Sequence, residues 1–89
     1  MDNIEAYLDA NRLRNQDDLF ELLRMASVST DSQYQADVQR AGQWVADQFR
    51  SLGFMTEIVE TKGHPIVYAE TPPVQGAPIV LVYGHYDVQ

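Results

Sequence analysis

Apolar residues recur with a helical period from the start of the chain to Leu52, and with an extended period after it. Ile4, Tyr7 and Leu8 make a short stripe at helical spacing, which predicts a helix from residue 2 to about 14. Asp2 or Asn3 can cap it, and Glu5 stands three after Asp2 as in a capping box. The stripe then fails at Asn11, Arg12, Arg14, Asn15 and Gln16, with Leu13 alone between them. That pattern allows either a break or one long helix with a polar waist. Asn15 followed by Asp17 and Asp18 reads as a fresh cap with acids in its first turn. Leu19, Leu22, Leu23 and Ala26 line one face beyond it, with Phe20 beside them, so this half is expected to be the better packed. Residues 27–32, Ser-Val-Ser-Thr-Asp-Ser, form a loop of side chains that compete for backbone hydrogen bonds, and Ser32 with Gln35 repeats the capping-box spacing. A third helix is expected over 33–52, where Val38, Ala41, Val45, Phe49 and Leu52 share a face and Trp44 lies at its edge. Gly53 is the expected C′ residue.

After Gly53 the pattern turns extended. Phe54–Thr61 contains Ile58, Val59 and two threonines, Lys62-Gly-His-Pro65 is a turn, and 66–70 is a second extended segment, so the two read as a hairpin. His64 is expected to be a solvated turn residue. A loop dense in proline and glycine follows over 71–78. Ile79-Val-Leu-Val-Tyr83 is apolar throughout, the pattern of a strand buried on both faces. Burying five such residues is worth roughly 8–12 kcal/mol, and leaving them bare is an aggregation hazard. Helices first, then a hairpin and a fully apolar strand, predict an α/β sandwich of several layers, whose last strand needs neighbours beyond those that the rest of the chain supplies.

Composition narrows this picture. A chain of 89 residues makes one small domain at most and buries only about 60–65% of its unfolded surface. It has no cysteine, so no disulfide or thiolate metal site can staple it. The formal charge of −7, from 13 acids against 6 bases, argues against nucleic-acid and anionic-membrane partners. The start, Met-Asp-Asn-Ile-Glu, has no basic region followed by an apolar core, and no apolar run approaches the ~20 residues of a membrane span, so the chain reads as cytoplasmic.

The chemistry lies at His85 and Asp87. In an extended chain they point the same way, at the exit of the apolar strand, and Gly84 just before them leaves room for another group to approach. A neutral imidazole is a good zinc ligand, and a carboxylate behind it fixes the tautomer and raises ligand basicity. On spacing alone, a metal ligand and a hydrogen-bonded strand-end pair both remain, and the second is the commoner. A metal needs three or more ligands, and no second candidate is apparent. A serine nucleophile in the 27–32 loop lacks a local histidine or glycine elbow, which favours the connector reading.

Val82-Tyr-Gly-His-Tyr-Asp-Val-Gln89 resembles the first metal motif of the zinc-dependent dipeptidase family, which includes carnosinase, cytosolic non-specific dipeptidase, aminoacylase, glutamate carboxypeptidase and succinyl-diaminopimelate desuccinylase. Phe20–Ser29 resembles that family's first helix running into a Pro-Ser-Val-Ser loop, with Met25-Ala26 where Ile-Pro is commoner. Leu52-Gly-Phe54 and Gly63-His-Pro-Ile-Val-Tyr-Ala69 look like the dipeptidase branch, as do Tyr86 and Val88-Gln89. The resemblance implies that residues 1–89 are the N-terminal portion of the catalytic domain, a three-layer α/β/α zinc-exopeptidase fold with a mixed sheet, without the lid and dimerisation domain. It makes His85 a zinc ligand and Asp87 the catalytic-site aspartate that orients it. It further implies a two-metal zinc site (manganese or cobalt being alternatives), a glutamate general base, a dipeptide or short-peptide substrate and a homodimeric full-length enzyme. It also implies a proline directly after Gln89, a further aspartate some tens of residues on and then a Glu-Glu pair. The chain alone is expected to be inactive. A deacylase, desuccinylase or carboxypeptidase of the same family and a stand-alone non-catalytic binding module are the alternatives.

Overall fold

The computed structural model describes residues 2–89. Helix α1 spans Asp2–Ala10 and helix α2 spans Arg12–Leu23. The expected cap by the Asp2 side chain lies outside the described residues. The break falls at Asn11, not at Asn15. Asn11 donates to the Tyr7 carbonyl from both its backbone N–H (3.0 Å) and its side-chain amide (2.9 Å), while Asn15 N–H reaches back to the Asn11 carbonyl (2.8 Å). The side-chain amide shares that carbonyl with the backbone, and Asn11, at φ −108° and ψ 15°, leaves helical geometry between α1 and α2. Asp17 and Asp18 consequently lie beyond the first turn of α2. The expected packing of α2 is also absent: it has no buried residue, and Leu19, Phe20 and Leu23 are exposed. An amphipathic stripe specifies a face to be covered, and α1 and α2 make at most marginal contact with the other elements.

Packing centres on helix α3, Gln35–Ser51, entered through a 3-10 turn at Ser32–Tyr34. The side-chain cap is Asp31 rather than Ser32, and it caps this 3-10 turn, not α3 itself. Its carboxylate accepts from Gln33 N–H at 2.9 Å, the stronger option because a charged acceptor suits the helix N-terminus. Val38, Ala41, Gly42 and Ala46 are buried, Val45 and Phe49 are half-buried, and Leu52 is exposed. The helix closes as expected at Gly53, whose φ of 85° is the left-handed conformation that a side chain resists. Gly53 N–H donates to the Arg50 carbonyl (3.0 Å) and Phe54 N–H to the Phe49 carbonyl (3.1 Å), a Schellman closure, and the Phe49 and Phe54 rings meet at 5.3 Å.

The hairpin is present. Strand β1, Met55–Val59, pairs antiparallel with strand β2, Ile66–Glu70, in the register Met55↔Glu70 to Val59↔Ile66. Thr56, Ile58, Val67 and Ala69 form its half-buried face, and α3 is the helix against which both strands pack. Met55, Val59, Ile66 and Tyr68 stand uncovered on the other face. The result is a small mixed domain, helices plus a two-stranded antiparallel sheet.

Residues 79–83 depart from expectation. Ile79–Tyr83 form no strand and are 80–97% exposed. An apolar β-branched run encodes burial, but a strand also needs an edge to pair with, and among the described residues none pairs with it. The radius of gyration, 15.2 Å, exceeds the roughly 12 Å of a close-packed chain of this length, as bare segments require.

Candidate functional site

The tip of the chain is held by the loop that follows α2. Val88 forms a parallel bridge with Val28: Val88 N–H donates to the Ser27 carbonyl at 2.8 Å, and Ser29 N–H donates to the Val88 carbonyl at 3.2 Å. Ser27, the one buried polar residue among those described, donates its hydroxyl to the Tyr86 carbonyl (3.2 Å). His85 and Asp87, expected at the exit of a strand over 79–83, are therefore held in place by residues 27–29 instead.

Tyr86 is the anchor beneath this bridge. Its hydroxyl donates to the Pro65 carbonyl, and its ring lies over Gly42 in α3, where an added Cβ would stand 3.2–3.3 Å from ring atoms. Glycine inside a helix costs about 1 kcal/mol relative to alanine, so Gly42 is a concession to this close approach. Burial raises the Tyr86 phenol above its ordinary range, and the Asp87 and Glu60 carboxylates add to the effect. Gly84, in contrast, has open space where its side chain would be, so the expected close approach there is not made.

His85 and Asp87 do share a face. His85 Nδ1 lies 3.1 Å from Asp87 Oδ1, and the other carboxylate oxygen, Oδ2, accepts from the Ser29 hydroxyl at 2.5 Å. The Ser29 hydrogen bond first, and the His85 ring second, hold the Asp87 carboxyl below its ordinary range, outweighing the opposite effect of burial. An ionised Asp87 can only accept, so Nδ1 carries the proton facing it. His85 Nε2 is left as the lone-pair nitrogen, 3.2 Å from the Tyr83 hydroxyl, which donates to it. The Tyr83 and His85 rings meet edge-on at 5.4 Å. The His85 side chain is 68% exposed and that of Asp87 24%, so the ring reaches outward from a sheltered carboxylate.

His64 is not the free turn residue expected from its place before Pro65. It is half-buried, with Nε2 at 2.9 Å from the Ser29 carbonyl, and a carbonyl only accepts, so this nitrogen carries a proton. Ser29 and His64 were legible as residue types, but no local signal ties either to Asp87. Gly42 did carry one, a glycine on the apolar face of a helix.

This arrangement offers one imidazole lone pair backed by a carboxylate. Among the described residues, no group of three His, Cys, Asp or Glu side chains gathers as a metal site. Asp37 and Asp47, the acids of α3, instead pair along the helix with Arg40 and Arg50. No protein-family model, curated protein or solved structure matches the chain.

Proposed function

We propose that the chain is the N-terminal portion of the catalytic domain of a metal-dependent dipeptidase, in which His85 is a zinc ligand and Asp87 its orienting aspartate. The observation that carries this reading is the His85–Asp87 pair itself. Nδ1 is turned to a carboxylate and Nε2 faces outward with a lone pair that now accepts from the Tyr83 hydroxyl, a bond that a metal ion would replace; a carboxylate behind the ring is the arrangement that metal-bound histidines use. The donor set fits zinc as one nitrogen ligand, and the remaining donors of a two-metal site would come from other parts of the enzyme. When bound, zinc supplies Lewis acidity toward water and the peptide carbonyl. Asp87 keeps His85 in the ligating tautomer and holds its ring in place.

Two surfaces support the larger three-layer α/β/α architecture. Among the described residues, Met55, Val59, Ile66 and Tyr68 form a sheet face with no helix over it, and Ile79–Tyr83 form an apolar segment with no neighbouring strand. An open cleft of about 1450 Å³ lies between β2 and that segment. The resemblance of the motif favours dipeptides over acylated amino acids as substrates and a cytoplasmic homodimer as the working enzyme. Among the described residues, no helix is long and apolar enough to cross a membrane.

The test is titration of the isotope-labelled chain with Co²⁺ or Mn²⁺, followed by NMR. Selective broadening at the His85 ring, abolished by His85→Ala and sparing His64, is expected. With zinc added, this chain is expected to hydrolyse no dipeptide, since it contributes one ligand of the site. Equal broadening at both histidines, or metal-dependent hydrolysis by the chain alone, overturns the reading.

A further inference from the structure

We propose that Ser29 is the positioning residue of the site: it locks Asp87, and through Asp87 sets which nitrogen of His85 faces outward. The proposal rests on the reading of His85 as a metal ligand for its purpose, though not for its geometry. A carboxylate held by one hydrogen bond can swing about its Cβ–Cγ bond and take the imidazole with it. Asp87 is held at both oxygens, by the Ser29 hydroxyl on Oδ2 and by His85 on Oδ1, so the swing is blocked.

Ser29 can do this because it is itself held from three sides. Its N–H donates to the Val88 carbonyl at 3.2 Å, its carbonyl accepts from His64 Nε2 at 2.9 Å, and its hydroxyl donates to Asp87. The bridge partner Val88 is the residue after Asp87, so backbone and side-chain contacts fix the two residues in one register. His64 therefore acts from the hairpin turn as a brace on the far side of Ser29. The hydroxyl is committed to a carboxylate and not to a ring nitrogen, the wrong partner for a nucleophile and the right one for an orienting group.

The experiment is ring-nitrogen NMR of the chain at neutral pH without metal, the chain's two histidines being told apart by a His64→Gln variant. In the native chain His85 is expected mainly as the Nδ1–H tautomer. Ser29→Ala is expected to lower that share at least twofold toward the Nε2–H form that free imidazole side chains prefer, with the amide shifts of α3 and the hairpin unchanged. Ser29→Thr keeps the hydroxyl and is expected to restore the native tautomer. A folded Ser29→Ala chain with an unmoved tautomer overturns the proposal, as does a folded Ser29→Thr chain that loses it. A native chain already dominated by Nε2–H overturns it with no variant needed, so a failure of Ser29→Ala to fold does not shield it. Failure of metal to perturb His85, with the tautomer shift intact, would remove the dipeptidase reading and leave the positioning role standing.

Discussion

Asp87 is where residue-scale chemistry is sharpest. Its carboxyl is held below the ordinary range chiefly by the Ser29 hydroxyl, so the folded state prefers the ionised form. A depressed folded pKa means that the associated stability is fully present above the unfolded value of about 3.9 and is lost as pH falls through the lower folded value. Carbon NMR titration of the Asp87 carboxyl is expected to show a midpoint below that of a free aspartate. Ser29→Ala should move the midpoint upward, since it removes the largest cause. A midpoint that does not respond would mean that the short Ser29–Asp87 contact is not made in solution.

Helix α3 and the tip are coupled at the element scale through Gly42 and Tyr86. Replacing a helix-interior glycine by alanine ordinarily stabilises by about 1 kcal/mol. Here the new methyl would press on the Tyr86 ring, which its hydroxyl pins to Pro65 and prevents from backing away. Gly42→Ala alone is expected to bring no gain in thermal or urea stability. In a Tyr86→Ala background the same change should recover most of the ~1 kcal/mol, a coupling that a double-mutant cycle reads directly. Equal effects in both backgrounds would show that the ring does not lie over Gly42. The ends of α3 belong to the same scale. Asp31 caps the 3-10 turn that leads into it and Gly53 closes its C-terminus, so this helix forms where its periodicity places it, whereas α1 and α2 have periodicity without a partner surface.

Across the whole molecule, order is uneven. Amides of α3 and of the paired edges of β1 and β2 are expected to exchange slowly with solvent. Those of Ile79–Tyr83 should exchange at nearly free-chain rates, because among the described residues they have neither a pairing partner nor cover. Slow exchange at Val80 or Val82 in the dilute monomer would contradict the open arrangement. The same bare run makes the chain prone to associate as its concentration rises, an outcome that its net charge of −7 opposes.

Much of the architecture is legible in the chain because it depends on neighbours a few residues apart. The third helix with its Gly53 closure, the hairpin and the shared face of His85 and Asp87 all follow from periodicity and spacing. Even the misplaced features, the break at Asn11 and the cap at Asp31, shift only within reach of local side-chain hydrogen bonding. What tertiary structure alone decided spans long separations. Ser29 meets Asp87 across 58 positions, Ser27 meets Tyr86 across 59, and His64 meets Ser29 across 35. Such pairings are chosen by which surfaces the fold brings together, and serine or histidine in a loop carries no mark of its distant partner. The apolar run at Ile79–Tyr83 shows the same boundary from the other side. Its composition states that it should be buried, but burial and strand formation require a partner surface, and a run of side chains cannot supply one for itself.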